Sequence, residues 1–360
     1  MRILAVVNQK GGCGKTTTAI HLASCLAAAR QRTVLVDLDP QGHATLGLGA
    51  AAPARDASLA RVLSRSGLEE DAVPITGILV EVAENLSLAP SGAELAELEP
   101  ELVRAPGGEE RLAEHLVALT GRADRVVIDG PPSLGLLTLN ALMAADEVVV
   151  PVEPSLYSMH GLVRVIELVD LLAKRRRRAA RVRILVNAFD GRSNFARQTL
   201  EEIRSRFPEL ALETVVRSSV RVREAAARGL PVGRYASQAP IAEDYRALAA
   251  EIERSAADEA ADAARVSPAQ GLVVSQEGLY LSRSDVSPED VLVAGDFNGW
   301  VPDAGILLEK HEDGSWTKFL PLQPGRYEYK LVVGGRWIVD PLNPNQVVNS
   351  VGTRNSVLDV

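Results

Sequence analysis

QKGGCGKTT, Gln9 to Thr17, decides how this chain is read. Before it runs RILAVVN, Arg2 to Asn8, a short apolar stretch suited to a buried parallel strand. After it comes KTTTAIHLASCLAAAR, in which Ile20, Leu22, Ala23, Leu26 and Ala27 give an apolar helical face. Strand, glycine-rich turn and helix, in that order, are the setting of a phosphate-binding loop. Glycines let backbone N–H groups approach phosphate oxygens, and the helix N-terminus adds positive potential. Gly11, Gly12, Cys13, Gly14, Lys15, Thr16 and Thr17 are therefore the expected nucleotide cradle. Lys15 would hold the β- and γ-phosphates, and Thr16 would ligate Mg²⁺. Cys13 reads as a small packed residue rather than a nucleophile. Two departures need a reason. The G-x-x-x-x-G-K-[ST] pattern wants glycine where this chain has Gln9, and it needs one lysine where this chain has Lys10 and Lys15.

Two more strands deliver acids. TVLVDLDPQGHAT carries Asp37 and Asp39 at its strand end, and RVVIDGPPSLG carries Asp129. Doubly wound sheets build nucleotide sites from residues at the C-terminal ends of their strands. Each aspartate alone could be a helix cap or a turn residue, but their order after a phosphate loop points to one site. Asp129 suits the acid that holds Mg²⁺ through water. The expected fold class is α/β, a doubly wound, mostly parallel P-loop sheet.

At 360 residues the chain has room for two domains. A net charge of -8 argues against a general polyanion binder while leaving room for a local basic face. Cys13 and Cys25 have no metal spacing, as expected of a reduced, cytoplasmic protein. No leader or spanning stretch is legible, so no membrane contact is expected. Aromatic residues mark a boundary. None occurs from Met1 to Leu156, whereas Trp300, Trp316 and Trp337 all lie near the C-terminus. The Ala- and charge-rich stretch Glu253–Gly271 separates the two textures, as a helix tail running into a linker. The expected division is an ATPase domain over 1–255, a linker over 256–270 and a small β-domain over 271–360.

The stretches QKGGCGKTTTAIHLA, VLVDLDPQGHATLGLG, VVIDGPPSLGLLTLNAL, PVEPSLYSMHGL and RSSVRVREAAARGLPVGRYASQAPIAEDYRALAAEI carry a resemblance over Met1 to Ile252. They resemble the ParA/MinD superfamily of deviant Walker ATPases, and within it the ParA branch. That resemblance accounts for both departures. Lys10 matches the signature lysine, which in the family reaches across an ATP-sandwich homodimer to the partner's nucleotide. Asp39 matches the acid that positions the attacking water, Asp37 would support the Mg²⁺ shell, and Asn187 falls where relatives contact adenine. ParA-type dimers bind DNA without sequence preference, and Arg217, Arg221 and Arg223 lie where the family's DNA-contacting arginines cluster. Between Arg164 and Arg228 there are 16 Lys/Arg against 8 Asp/Glu. The run Lys174 to Arg178 fits either a solvated helix end or a phosphate contact. ATP and Mg²⁺ are the implied cofactors, with an activating partner protein and a nucleoid-associated location. The MinD branch would need an amphipathic membrane helix, and none is legible.

From Gly271 the pattern shifts to short alternating stretches such as DVLVAGDFNGW and RYEYKLVVGGRW, separated by Asp-Gly, Pro-Gly and Gly-Gly turns. These predict a small all-β, immunoglobulin-like sandwich. Trp316, in EDGSW, is expected in its core. Trp300 and Trp337 adjoin turns, where indoles suit sugar platforms. VLVAGDFNGW, YEYKLVVGGRWIVDP and NSVGTRNSVLDV resemble the glycogen-binding carbohydrate module of the AMP-activated protein kinase beta subunit and of starch-branching enzymes. The resemblance implies stacking on glucose by Trp300 and Trp337, hydroxyl bonds from Lys330 and Asn355, Thr353 beside them, and Val351 as an apolar contact. The two parts together imply an ATP-dependent dimerising switch that positions a glycogen-like α-glucan on nucleoid DNA. The alternatives are a partition ATPase whose sandwich contacts a protein, and a glucan-sensing regulator that does not bind DNA.

Overall fold

The structure, a computed structural model, describes residues 1–65, 67, 72–155, 158–176, 180–265, 272–275, 278–283, 291–310, 316–320, 322, 325–333, 336–340, 343, 345–349 and 352–359. The chain forms two compact units, one over Met1–Ile252 and one over Glu253–Asn349 and Thr353–Val360. The boundary falls inside the helix Pro240–Arg265, so most of the stretch expected to be linker is helical. Its Ala, Glu, Asp and Arg content explains this, since these residues, Asp excepted, are strong helix formers.

The first unit is built on an eight-stranded sheet. Its strands are β1 (Arg2–Val6), β2 (Thr33–Asp37), β3 (Val80–Ala83), β4 (Leu86–Ala89), β5 (Arg125–Asp129), β6 (Glu147–Val152), β7 (Arg181–Phe189) and β8 (Ala211–Arg217). Their order is β3-β4-β2-β5-β1-β6-β7-β8, parallel throughout except for the edge pair β3–β4. Side-chain alternation along the strand shows why the run from Ile3 to Val7 is apolar on every residue. Leu4 and Val6 enter one core together with Ile20, Leu22 and Leu26 of the helix α1 (Lys15–Ala28). Ala5 and Val7 enter a second core on the opposite face. With helices over both faces, neither set of side chains can be polar.

Strand β1 is flanked by β5 on one side and β6 on the other, and the chain order reverses there. The loop that follows β1 thus opens at the switch point of the sheet, where ligands of such folds bind. Asp37 and Asp129 are register partners on neighbouring β2 and β5, and Val6 is the partner of Asp129 on the other side. The fold therefore brings the loop and both acids to one edge.

The second unit holds two antiparallel sheets. One is β12 (Leu307–Lys310), β13 (Trp316–Leu320), β10 (Gly278–Arg283) and β9 (Leu272–Ser275), in that order. The other is β11 (Val291–Gly295), β14 (Arg326–Val333), β17 (Arg354–Asp359) and β16 (Gln346–Val348), with β15 (Arg336–Ile338) paired to β14. Val291, Val293, Tyr329, Leu331 and Leu358 of the second sheet share a core with Leu320 of the first. The side chain of Trp316, expected in that core, lies outside the described residues. Among the described residues no helix is long and apolar enough to cross a membrane.

Candidate nucleotide and carbohydrate sites

The loop from Asn8 to Gly14 is held by its own backbone. The Lys10 carbonyl accepts from Lys15 Nζ at 3.1 Å and from Cys13 Sγ at 3.2 Å. Cys13 is buried, and burial pushes its thiol pKa up, so it is a poor nucleophile. Gly14 sits at φ 88°, and a Cβ there would lie 2.0 Å from Asn187 Nδ2. A side chain there would be strained at that φ and would have to push Asn187 aside. Gly11 is different: a Cβ there would meet nothing within 4 Å. Internal packing does not demand that glycine, but a phosphate brought against the backbone would.

Asn187 donates from Nδ2 to the Cys13 carbonyl at 2.8 Å. Next to it Ala188 holds φ 52°, and the β7–β8 register shifts between Val186 and Phe189. In this structure Asn187 clamps the loop, a contact that the sequence did not signal. Gln9, which stands where the common pattern has glycine, accepts from Arg164 Nη1 at 3.3 Å.

The three acids differ in their surroundings. Asp37 Oδ2 accepts from Thr45 N at 2.7 Å and from Thr45 Oγ1 at 2.6 Å. Burial nevertheless pushes the Asp37 pKa up to about 6. Asp129 is fully buried, and neither of its oxygens has a hydrogen-bond partner. Burial first, and the charge of Asp37 second, push its pKa well above the usual carboxylate range, while Thr16 and Lys15 pull the other way. Asp39 is arranged by a tight turn: its Oδ1 accepts from Gln41 N at 2.9 Å, and its carbonyl accepts from Ser91 Oγ at 2.7 Å. With Oδ1 of Asp37 and both oxygens of Asp129 buried and unbonded, the site is costly as it stands. A hard, oxygen-seeking cation offsets that cost. One or two carboxylates plus phosphate oxygens is the donor set that suits Mg²⁺.

Lys10 Nζ, unlike Lys15, points away from the loop. It donates to Glu153 Oε2 at 2.9 Å and to Ser155 Oγ at 2.7 Å, within its own chain. Both partners lie in PVEPS at the end of β6. The pair is about one-third exposed, so it is weakly held and readily exchanged.

The three arginines expected to meet DNA are not equivalent. Arg217 is tied to Asp244 by Nε and Nη2, both at 2.8 Å, and Asp244 is nearly buried. Arg221 pairs with Glu224 at 2.8 Å on the helix Val220–Ala226, and Arg223 is exposed on the same helix. The side chains of Lys174–Arg178 lie outside the described residues.

In the second unit Trp300 and Trp337 come together, with ring centroids 6.3 Å apart and planes inclined by 32°. Both are half-buried. Lys330 Nζ donates to Thr353 Oγ1 at 2.8 Å, and Asn355 Nδ2 donates to Glu328 Oε2 at 2.8 Å. Asn349 joins them, donating from Nδ2 to Thr353 Oγ1 at 2.8 Å and accepting from Thr353 N at 3.0 Å. Lys330, Thr353 and Asn355 thus belong to one polar network, and Asn349 and Glu328 are members that sequence reasoning missed. Val351 lies outside the described residues.

Residues 1–182 match the protein family described as an AAA domain. Residues 285–360 match the family described as the glycogen recognition site of AMP-activated protein kinase. Over 252 residues the chain is 39% identical to the sporulation initiation inhibitor protein Soj of Bacillus subtilis (strain 168), which covers 70% of this chain and 98% of that protein. It is 38% identical over 252 residues to the chromosome partitioning protein ParA of Myxococcus xanthus (strain DK1622), covering 70% of this chain and 87% of that one. Among solved structures, the cobyrinic acid a,c-diamide synthase from Mycobacterium smegmatis with bound ATP analog and magnesium superposes with a TM-score of 0.60 at 31% identity, over 71% of this chain and 95% of that chain.

Proposed function

The chain belongs to the ParA/Soj family of P-loop ATPases, and from that premise we propose that its ATP cycle positions an α-glucan body on nucleoid DNA in the cytoplasm. The observation that carries this reading is the Trp300–Trp337 pair, set beside the Lys330–Thr353–Asn349 network, in the same chain as the phosphate loop. Gly11 to Thr17 and Lys15 would bind the ATP phosphates, and Thr16, Asp37 and Asp129 would hold Mg²⁺ directly or through water. The bound Mg²⁺ neutralises charge on the phosphate oxygens. Asp39 would orient the attacking water. Lys10 would leave Glu153 and Ser155 to reach the partner's nucleotide in an ATP-closed homodimer. Support for that movement is the partly exposed, exchangeable character of its pairing. A partner protein would trigger hydrolysis and release.

The test is retention on glucan. Full-length protein should be slowed in gels containing glycogen, and Trp300→Ala or Trp337→Ala should each weaken binding roughly thirtyfold, as for loss of an aromatic anchor worth about 2 kcal/mol. Equal mobility of the wild type and the double variant with and without glycogen would leave a protein-contact module on a partition ATPase.

DNA binding has its own expected outcome. The ATP dimer should shift non-specific duplex, with log affinity falling against log salt by about 0.9 per phosphate neutralised. Arg221→Glu with Arg223→Glu should abolish the shift and leave dimerisation intact, as read by light scattering. Arg217 is left in place, because its loss would strip nearly buried Asp244 of its partner. A second reading, a glucan-sensing regulator that does not bind DNA, is favoured by the pairing of Arg217 and Arg221 with their own acids. Absence of any ATP-dependent shift would select it.

A further inference from the structure

Trp300 sits on a strained and heavily braced turn. It holds φ 62°, directly after Gly299 at φ 61°. The left-handed region costs a bulky residue about 1–2 kcal/mol and persists only where the surroundings impose it. Here they do. Trp300 N donates to the Gly295 carbonyl at 3.0 Å. Asn298 closes the turn by accepting from Gly295 N at 2.9 Å and donating to the Val293 carbonyl at 3.0 Å.

The side chain is braced as well. Trp300 Nε1 donates to Asp296 Oδ1 at 3.0 Å, and the other carboxylate oxygen, Oδ2, accepts from Glu328 N on β14 at 2.9 Å. Asp296 is exposed, yet it forks between the indole and the backbone of a core strand. Glu328 in turn bonds Asn355 of the polar network at 2.8 Å. A half-buried aromatic on a turn can still sample more than one rotamer, and ordering such a side chain on binding costs about 0.5–1.5 kcal/mol. The carboxylate removes that cost beforehand.

We propose that Asp296 is a positioning residue for the glucan platform: it locks the Trp300 indole by its N–H, so that sugar meets the ring face only. This rests on the glucan reading above and adds to it. With the N–H already satisfied, Trp300 contributes stacking and no hydrogen bond to a hydroxyl, which leaves hydroxyl recognition to the Lys330–Asn355 side. A hydrogen bond to a carboxylate also enriches the indole in electron density, which favours its face against the polarised C–H bonds of a pyranose.

The experiment uses the full chain, with maltoheptaose as probe. Asp296→Ala should weaken binding by up to about tenfold. In the Trp300→Phe background, where there is no N–H to hold, the same change should cost less than about twofold. Equal losses in the two backgrounds, or no loss in either, overturn the proposal. A second measurement needs no variant. In ¹⁵N-tryptophan-labelled wild type, the Trp300 indole N–H should exchange with solvent more slowly than that of Trp337, and equal exchange overturns the lock. Failure of the wild type to bind maltoheptaose overturns the glucan reading instead, while the exchange measurement still decides whether the lock exists.

Discussion

Lys10→Ala is expected to bind ATP almost as the wild type does and to hydrolyse it about 10³-fold or more slowly, the effect of losing a cation supplied in trans to the transferring phosphoryl group. The backbone and the side chain of this residue make separate contacts. Its carbonyl holds Lys15 Nζ and Cys13 Sγ, and those bonds survive truncation of the side chain. Its Nζ donates to Glu153 and Ser155, neither of which belongs to the loop. Loop geometry should therefore persist, and the loss should fall on closure and chemistry. Asp39→Ala should behave oppositely, forming the ATP dimer and stalling in it. Single-turnover hydrolysis and light scattering on both variants make the comparison. Wild-type hydrolysis by Lys10→Ala would end the trans-lysine account.

Asp129→Asn is expected to abolish Mg²⁺-dependent hydrolysis and, in the nucleotide-free protein at pH 7, to raise the melting temperature. The reason is the buried pair. A carboxylate whose native pKa is raised binds more protons folded than unfolded, so it lowers stability as pH rises through its window. For Asp37 that window runs from its ordinary value to about 6, a loss of about 3 kcal/mol by pH 7. Asp129, more deeply buried and facing Asp37, acts in the same direction. An amide in place of Asp129 removes a buried carboxyl whose charged form burial and the charge of Asp37 both oppose. At about 2–4 °C per kcal/mol for a domain of this size, the gain should be clear in a calorimetric scan. Without ligand the wild type should lose stability as pH rises from about 4 through about 6, and the variant should lose less. With Mg²⁺ and ATP the ranking should reverse, because only the wild type gains the full binding increment, about 2.7 kcal/mol at a hundredfold excess over Kd. A variant less stable than wild type in the empty state would show that Asp129 is a structural residue. Tension of this kind is expected where function requires charges that the fold alone would not keep.

The sequence by itself determined the class of the first unit and the phosphate-loop pattern that follows its first strand. An apolar run, three glycines, a lysine and a threonine in fixed order can fold in few ways, and the local chemistry of each step is written in neighbouring residues. Strand ends at Asp37 and Asp129 were legible for the same reason, since period and composition change there. The paired tryptophans were legible as turn-adjacent indoles in an otherwise alternating β-pattern. The helix through Arg265 was less so, because alanine-rich charged sequence reads both as helix and as linker.

What only the tertiary structure decided are contacts between residues far apart in the chain. The strand order, which sets β5 and β6 on either side of β1, is a long-range choice. So is the approach of Asn187 to Cys13 across the crevice, which fixes Gly14 as glycine. So is the pairing of exposed Arg217 with Asp244. Lys10 on Glu153 and Ser155, and Asp296 between Trp300 and Glu328, follow the same rule. A single side chain declares its chemistry locally, but a hydrogen bond also needs a partner, and which partner arrives is settled by how the strands stack.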